Sequence, residues 1–294
     1  MDEIDYKGYE EVGRATRSAL EYGRNLIKEG AKLIDVAEKI EKYIEEKGFT
    51  FAFPVNISLD QEAAHYTPME GDPKVFGKNL IKLDLGARKG EYLGDSAISI
   101  DLSGEHGDLV ECSEEAAKEA ISLVKAGRSV REIGRAVEEV AKKKGFNPIQ
   151  NLGGHGITKN ELHANKFIPN FDNRDETKLE EGEVIAIEVF VTTGKGFVED
   201  GDYVQIFRKY PGMPRSPIAR EVSSFIDSNF GNYPFAMRWV IKKFGEFKAK
   251  ASLTELSRAG LLEAYPLLVE RSKGIVAQTE YEMIVEKDSC KLIT

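Results

Sequence analysis

One stretch of this sequence occurs twice, and that repetition constrains the fold more than any other feature. Lys28–Phe49, KEGAKLIDVAEKIEKYIEEKGF, matches Lys125–Phe146, KAGRSVREIGRAVEEVAKKKGF, without a gap. Leu33 aligns with Val130, Val36 with Ile133, Ile40 with Val137 and Ile44 with Ala141. Two unrelated amphipathic helices share such apolar spacing readily. They do not so readily share Gly30, Gly48 and Phe49 with Gly127, Gly145 and Phe146 at both ends. The repeat predicts two related halves, each a helix pair followed by strands. That is an α+β architecture with helices covering one face of a mixed sheet.

Apolar periodicity fills in the first half. Val12, Ala15, Ala19, Leu26 and Ile27 predict a helix over residues 8–29, and Leu33, Val36, Ala37, Ile40 and Ile44 a second over 33–47, stopped by Gly48. A strand over 51–57 then enters a polar loop carrying His65-Tyr66-Thr67-Pro68. At 294 residues, 41% of them hydrophobic, the chain can bury a large core. A net charge of -9 argues against wholesale nucleic-acid or membrane-surface binding, so no DNA partner is expected. Cys112 and Cys290 form no disulfide framework, the N-terminus has no apolar signal core, and no apolar run reaches membrane-span length. A soluble protein of the reducing cytoplasm is the expectation.

Carboxylates in apolar strands are the chemical oddity. In LIKLDLGARKGEYLGD, Asp84 and Asp95 lie eleven residues apart, on what reads as successive strands of one hairpin. The strand Val184-Ile185-Ala186-Ile187-Glu188-Val189-Phe190-Val191 has Glu188 as its only charge. In GIVAQTEYEMIV, residues 274–285, alternation puts Gln278, Glu280 and Glu282 on one face and Ala277, Thr279, Tyr281 and Met283 on the other. A buried carboxylate is costly unless it is paired, hydrogen-bonded or metal-bound. A Gly-rich loop, Asn151-Leu152-Gly153-Gly154-His155-Gly156, and His163 beyond it add imidazoles, although the loop lacks phosphate-binding spacing. Singly, each of these residues is more often structural than functional. Together, Asp84, Asp95, His155, Glu188 and Glu280 make an oxygen-rich set suited to Mn, Fe, Co or Zn.

Residues 205–265 differ in character: mostly helical, with ten Lys/Arg against five Asp/Glu in an acidic chain. An ordinary solvated face is the preferred reading of that basic bias, with a docking surface as the alternative.

The ordered stretches Ala52-Phe53-Pro54-Val55-Asn56, Ala63-Ala64-His65-Tyr66-Thr67-Pro68, Lys82-Leu83-Asp84-Leu85-Gly86, Gly154-His155, Leu162-His163-Ala164, Ala186-Ile187-Glu188 with Thr193-Gly194-Lys195-Gly196, Tyr233-Pro234-Phe235 with Arg238-Trp239, and Ala277-Gln278 with Glu280 carry a resemblance. Over nearly its whole length the chain resembles the type II methionine aminopeptidases, of pita-bread fold. It looks archaeal in lacking a long N-terminal extension. The resemblance implies a catalytic pita-bread domain over 1–204 and 266–294, interrupted by a helical type II insert over 205–265.

It also implies removal of the initiator methionine from nascent chains by metal-hydroxide attack on the first peptide bond. Two divalent ions would be held, Asp84 on one, His155 and Glu188 on the other, Asp95 and Glu280 bridging. Two cations about 3.5–4 Å apart can activate water and polarise a carbonyl. Glu188 would also shuttle a proton, His163 would stabilise the oxyanion and His65 would contact the substrate backbone. Phe53, Leu162, Phe190, Tyr265 and Ile206 match positions of the methionine pocket. The family rule further implies that a protein with Asp2 keeps its own Met1.

Three departures stand out. Arg88, Lys89, Gly90 and Glu91 replace the usual hairpin turn, Val189 follows Glu188 where archaeal relatives often have Pro, and Thr279-Glu280-Tyr281-Glu282 replaces Phe-Glu-His-Thr. The last brings an extra carboxylate, Glu282, to the face of Glu280. Two alternatives of other classes are a non-catalytic pita-bread protein that binds ribosome or RNA through the basic insert, and a Xaa-Pro peptidase on the same fold. A catalytic protein whose insert docks on the ribosome is a third variant.

Overall fold

A computed structural model describes residues 6–294, so Met1 and Asp2 lie outside the described residues. The first half runs α1 (Tyr6–Leu26), α2 (Leu33–Glu46), β1 (Thr50–Phe51), β2 (Asn56–Leu59), β3 (Glu62–Ala64), β4 (Leu80–Leu85), β5 (Ala87–Lys89), β6 (Tyr92–Leu93) and β7 (Ser96–Asp101). The second runs α3 (Gly107–Leu123), α4 (Val130–Lys143), β8 (Asn147–Pro148), β9 (Gly153–Thr158), β10 (Glu161–Pro169), β11 (Val184–Thr192) and β12 (Val198–Lys209). Then come α5 (Pro217–Asn229), β13 (Phe235–Ala236), α6 (Met237–Phe244), α7 (Glu246–Arg258), β14 (Leu262–Glu270), β15 (Val276–Val285) and β16 (Cys290–Leu292). Among the described residues no helix is long and apolar enough to cross a membrane.

The repeat is a structural one. α2 and α4 each have 14 residues, and both are followed by glycines, Gly48 and Gly145, at φ 83°. Gly30 and Gly127, ahead of them, take φ 82° and 81°, a left-handed backbone that only glycine adopts without strain. Even the anchoring hydrogen bonds correspond: Gly30 N–H donates to Phe76 O, and Gly127 N–H to Leu179 O.

The main sheet has nine strands, seven of them in the order β10-β9-β11-β15-β7-β4-β2, with β8 and β16 attached to β11 and β15. α1 and α2 bury Leu20, Leu33, Ile40 and Ile44 against Ile57, Ile81, Leu83 and Leu85. α3 and α4 do the same with Leu109, Ala116, Ile133 and Val137 against Ile185, Ile187, Val189 and Met283. The two halves meet where β7 pairs with β15, at Ala97 opposite Glu280.

Two expectations need correction. The sheet is antiparallel at every described strand pairing rather than mixed. The helix pair of each half precedes its strands instead of crossing between neighbours, so the right-handed crossover that parallel pairing needs does not arise. The single strand expected over 51–57 is two short strands, because Pro54 interrupts the run.

The strands β12 and β14 pair with each other, with β13 and β3 on either side. Between them they carry α5, α6 and α7, packed around Val222, Ile226, Phe235, Val240, Leu253 and Leu256. Ser216 caps α5 by accepting from Ala219 N–H, and Pro217 follows it at the first helical position.

Candidate metal centre

Strand register builds the centre in rows. On one face, Glu188 of β11 stands opposite Glu280 of β15, Glu280 opposite Ala97 of β7, and Ala97 opposite Asp84 of β4, whose other neighbour is Asn56. Two residues along each strand a second row forms. His155 of β9 stands opposite Ala186, Ala186 opposite Glu282, and Glu282 accepts a 3.0 Å hydrogen bond from Asp95 N–H. Side chains two apart on a strand share a face, so both rows point the same way. Ala97 and Ala186, the small members, leave room at the middle of each row.

Five neighbouring strand positions thus give one ligand candidate each. Asp95 departs slightly from the sequence reading, since it lies just before β7 and not within it. Asp95, His155 and Glu280 bring ligand atoms within 4.8 Å of one another, as do Asp84, Glu188 and Glu280. Glu280 belongs to both groups. Glu188 falls in the group of Asp84, to which Gln278 links it: the Gln278 amide donates to Glu188 Oε1 at 2.9 Å and to Asp84 Oδ2 at 3.3 Å.

His155 Nδ1 lies 3.3 Å from Gly156 O, which can only accept, so Nδ1 carries the proton. The lone pair is then on Nε2, 3.5 Å from Asp95 Oδ2 and 3.7 Å from Glu280 Oε1. His65 is held alike, with Nδ1 donating to Pro266 O at 3.1 Å and Nε2 left as an acceptor. His163 packs edge-on against His155 with ring centroids 4.5 Å apart.

The electrostatics call for cations. Burial raises the Asp84 carboxyl to about 7. Burial and mutual repulsion hold Asp95, Glu188 and Glu280 well above the usual carboxylate range, and burial does the same to Glu282. Among the described residues no Lys or Arg forms an ion pair with any of these five. Asp84 Oδ1, Glu280 Oε1 and Glu282 Oε1 are buried and have no hydrogen-bond partner. Orphaned oxygens in a group with one imidazole lone pair fit hard or borderline divalent ions. Burial also lowers His155 to about 3 and His65 to about 4, and lowers His163, which keeps the imidazoles neutral.

A cavity of about 500 Å³ opens on this face. Its walls include all five ligand candidates, His65 and His163, and also Phe53, Leu162, Phe190, Ile206 and Tyr265. Every site residue anticipated from the sequence therefore lines one cavity. Asn56, Gln278 and Ala97 carry no functional signal in the sequence itself. Alternation already put Gln278 on the correct face, but only the register across β4, β15 and β11 reveals the two carboxylates it joins. The extra carboxylate, Glu282, is fully buried beside Asp95, as its alternation with Glu280 implied.

Residues 7–210 match metallopeptidase family M24. The methionine aminopeptidase of Pyrococcus abyssi is 40% identical over 287 residues, 97% of each chain, and that of Thermococcus kodakarensis is 40% identical over 286 residues, 96% of this chain and 97% of that one. Among solved structures, a thermophilic Arx1 superposes with a TM-score of 0.87 at 22% identity, covering 100% of this chain and 91% of that one. Methionine aminopeptidase from Thermotoga maritima gives 0.73 at 19% identity, covering 100% and 98%. These two likenesses speak to the pita-bread fold alone. Family match, near-full-length identity and a clustered carboxylate–imidazole centre agree: the chain belongs to metallopeptidase family M24, among the archaeal-type methionine aminopeptidases.

Proposed function

We infer that this chain is a metallo-exopeptidase that removes N-terminal methionine. The observation that carries the reading is the convergence of seven chemically apt side chains on one cavity with an apolar end. In this reading Asp84, Asp95, His155, Glu188 and Glu280 would together hold two divalent ions, Glu188 lying with Asp84 and Glu280, and His155 with Asp95 and Glu280. Mn, Fe, Co and Zn all suit the donors. When bound, such a pair supplies an activated water and polarises the scissile carbonyl.

The chain's own residues do the rest. Phe53, Leu162, Phe190, Ile206 and Tyr265 accept the unbranched thioether, which adapts to an irregular apolar wall. His65 Nε2, fixed as an acceptor, takes a hydrogen bond from a substrate backbone N–H. His163, neutral and beside His155, donates its N–H to the oxygen on which negative charge develops. Glu188 accepts a proton from the attacking water and delivers it to the leaving amine. Gln278 keeps the Glu188 carboxylate turned toward Asp84 while it does so.

The helical segment 205–265 is read as an insert in a catalytic domain formed by 1–204 and 266–294. Nascent peptides in the cytoplasm are the proposed substrates, and the insert's basic face is a candidate ribosome contact. The names of the full-length relatives favour this reading over a Xaa-Pro peptidase or a non-catalytic binder.

Side-by-side hydrolysis of Met-Ala-Ser and Ala-Pro peptides with added Mn or Co tests it. Turnover of the methionyl peptide alone is expected. Absence of turnover with any divalent metal, from folded protein, would reject it.

A further inference from the structure

His65 stands in a costly conformation. Its φ of 68° lies in the left-handed region that non-glycine residues avoid. Something must over-determine the loop that follows. Thr67, fully buried, donates its hydroxyl to Val55 O at 2.9 Å, and Tyr203 donates its hydroxyl to Thr67 O at 3.1 Å. A third hold comes from the other side of the chain. Arg238 Nη1, on α6, donates to Thr67 Oγ1 at 2.5 Å and to Pro68 O at 3.2 Å.

Arg238 is 3% exposed, and its Nη2 donates to Glu41 of α2. The second Glu41 oxygen accepts from Trp239 Nε1 at 3.1 Å. One guanidinium therefore sits where α2, α6 and the His65 loop converge. A buried ion pair is a poor adhesive, because a well-packed apolar trio often serves stability as well or better. What the planar guanidinium adds is direction. It fixes a hydroxyl and a carbonyl at set angles, two and three residues beyond His65.

We propose that Arg238 is a positioning residue for His65, so that the seating of α6 on α2 sets where the His65 ring stands in the cavity. The inference rests on His65 meeting substrate, as proposed above. His65 is pinned at both ends of this arrangement: its ring hangs on Pro266 O, and its backbone is followed directly by the clamped Thr67 and Pro68. The metal ligands come from other strands and do not share these hydrogen bonds.

The test compares Arg238→Met, Arg238→Lys and Thr67→Val with the parent protein. Thr67→Val removes one of the two loop acceptors of Arg238, together with the hydroxyl's bond to Val55 O, and leaves the Arg238–Glu41 pair and the bond to Pro68 O in place. Metal affinity is read by calorimetry, kcat and KM separately on Met-Ala-Ser, and the His65 ring by NMR of labelled histidine, assigned with His65→Asn among the four histidines. Arg238→Met and Thr67→Val should bind Mn within twofold of the parent, lose tenfold or more in kcat, change KM less than threefold, and shift the His65 signal while that of His163 stays. Arg238→Lys should recover part of the loss, since an ammonium reaches one of the two acceptors. If kcat stays within twofold, or if metal affinity falls in step with kcat, the proposal is overturned. Should Arg238→Met fail to fold, Thr67→Val decides alone. A parent protein that does not hydrolyse the peptide refutes the functional reading, while the His65 signal still reports on the positioning.

Discussion

Replacing Glu270 by Gln gives a measurable test of how the end of β11 is fastened. Glu270 is fully buried at the end of β14. Its Oε1 accepts from Lys195 N–H at 2.7 Å and Gly196 N–H at 3.2 Å. Its Oε2 accepts from Ser272 N–H at 2.6 Å, Ser272 Oγ at 2.7 Å and Gly274 N–H at 3.0 Å. An amide can accept on one side only. Turned for least damage, Gln keeps the three donors of Oε2 and leaves Lys195 and Gly196 N–H facing an NH₂ group. Hydrogen bonds to a charged acceptor contribute about 1.5–3 kcal/mol each, so the loss is about 3–6 kcal/mol. In a chain of this size that lowers the melting temperature by ~10 °C.

The sign of the pH dependence follows. Burial alone would raise the Glu270 carboxyl, but hydrogen bonds from Gly274, Ser272 and Lys195 outweigh it and hold the group below the usual range. A depressed carboxyl stabilises the fold above the pH where the unfolded residue titrates, about 4.3, and stops doing so as pH falls through the folded value. Thermal melts of parent and Glu270→Gln should differ fully at pH 7, begin to draw together as pH falls past the unfolded value, and converge only below the lower folded one. A difference under about 2 °C at neutral pH would refute the reasoning, because it would mean the two lost hydrogen bonds, from Lys195 and Gly196, carry almost no net weight.

Three further outcomes are expected. Glu188→Gln should keep the fold and lose about 10²–10⁴-fold in kcat on Met-Ala-Ser, the usual range for a general acid–base; near-parental rates would remove Glu188 from the proton path. Gln278→Leu, which frees the carboxylates of Asp84 and Glu188, should weaken metal binding about 10–100-fold by calorimetry, and an unchanged affinity would make Gln278 incidental. Chelation should lower the melting temperature, and refilling a site to 100 times its dissociation constant should restore about 2.7 kcal/mol; equal melts with and without metal would argue against a built cation site.

Much of this centre was legible because the relevant signals are periodic. Alternation along residues 274–285 put Gln278, Glu280 and Glu282 together, and a lone charge in an apolar run marked Glu188. The repeat marked α2 and its counterpart α4 closely, since Gly48 and Gly145 end both by the same left-handed turn, whereas α1 begins and ends earlier than its apolar stripe suggested. Sequence spacing does not encode register between strands distant in the chain. For that reason the pairing of Ala97 with both Glu280 and Asp84, and the bridging place of Gln278, emerged only from the structure. The antiparallel sense of the sheet was missed on the same ground: it depends on which strands become neighbours. Arg238 and Glu41 look in sequence like ordinary charges on amphipathic helices, and nothing local announces that both are buried.

The pairing of β7 with β15 has a consequence for how the protein holds itself together. Asp84 and Asp95 belong to the first half, and His155, Glu188 and Glu280 to the second. Neither half alone owns a complete cage for an ion. On the proposed reading, capturing metal and closing the molecule along its midline would be one linked equilibrium, and a bound ion would act as a rivet across the join between the duplicated parts.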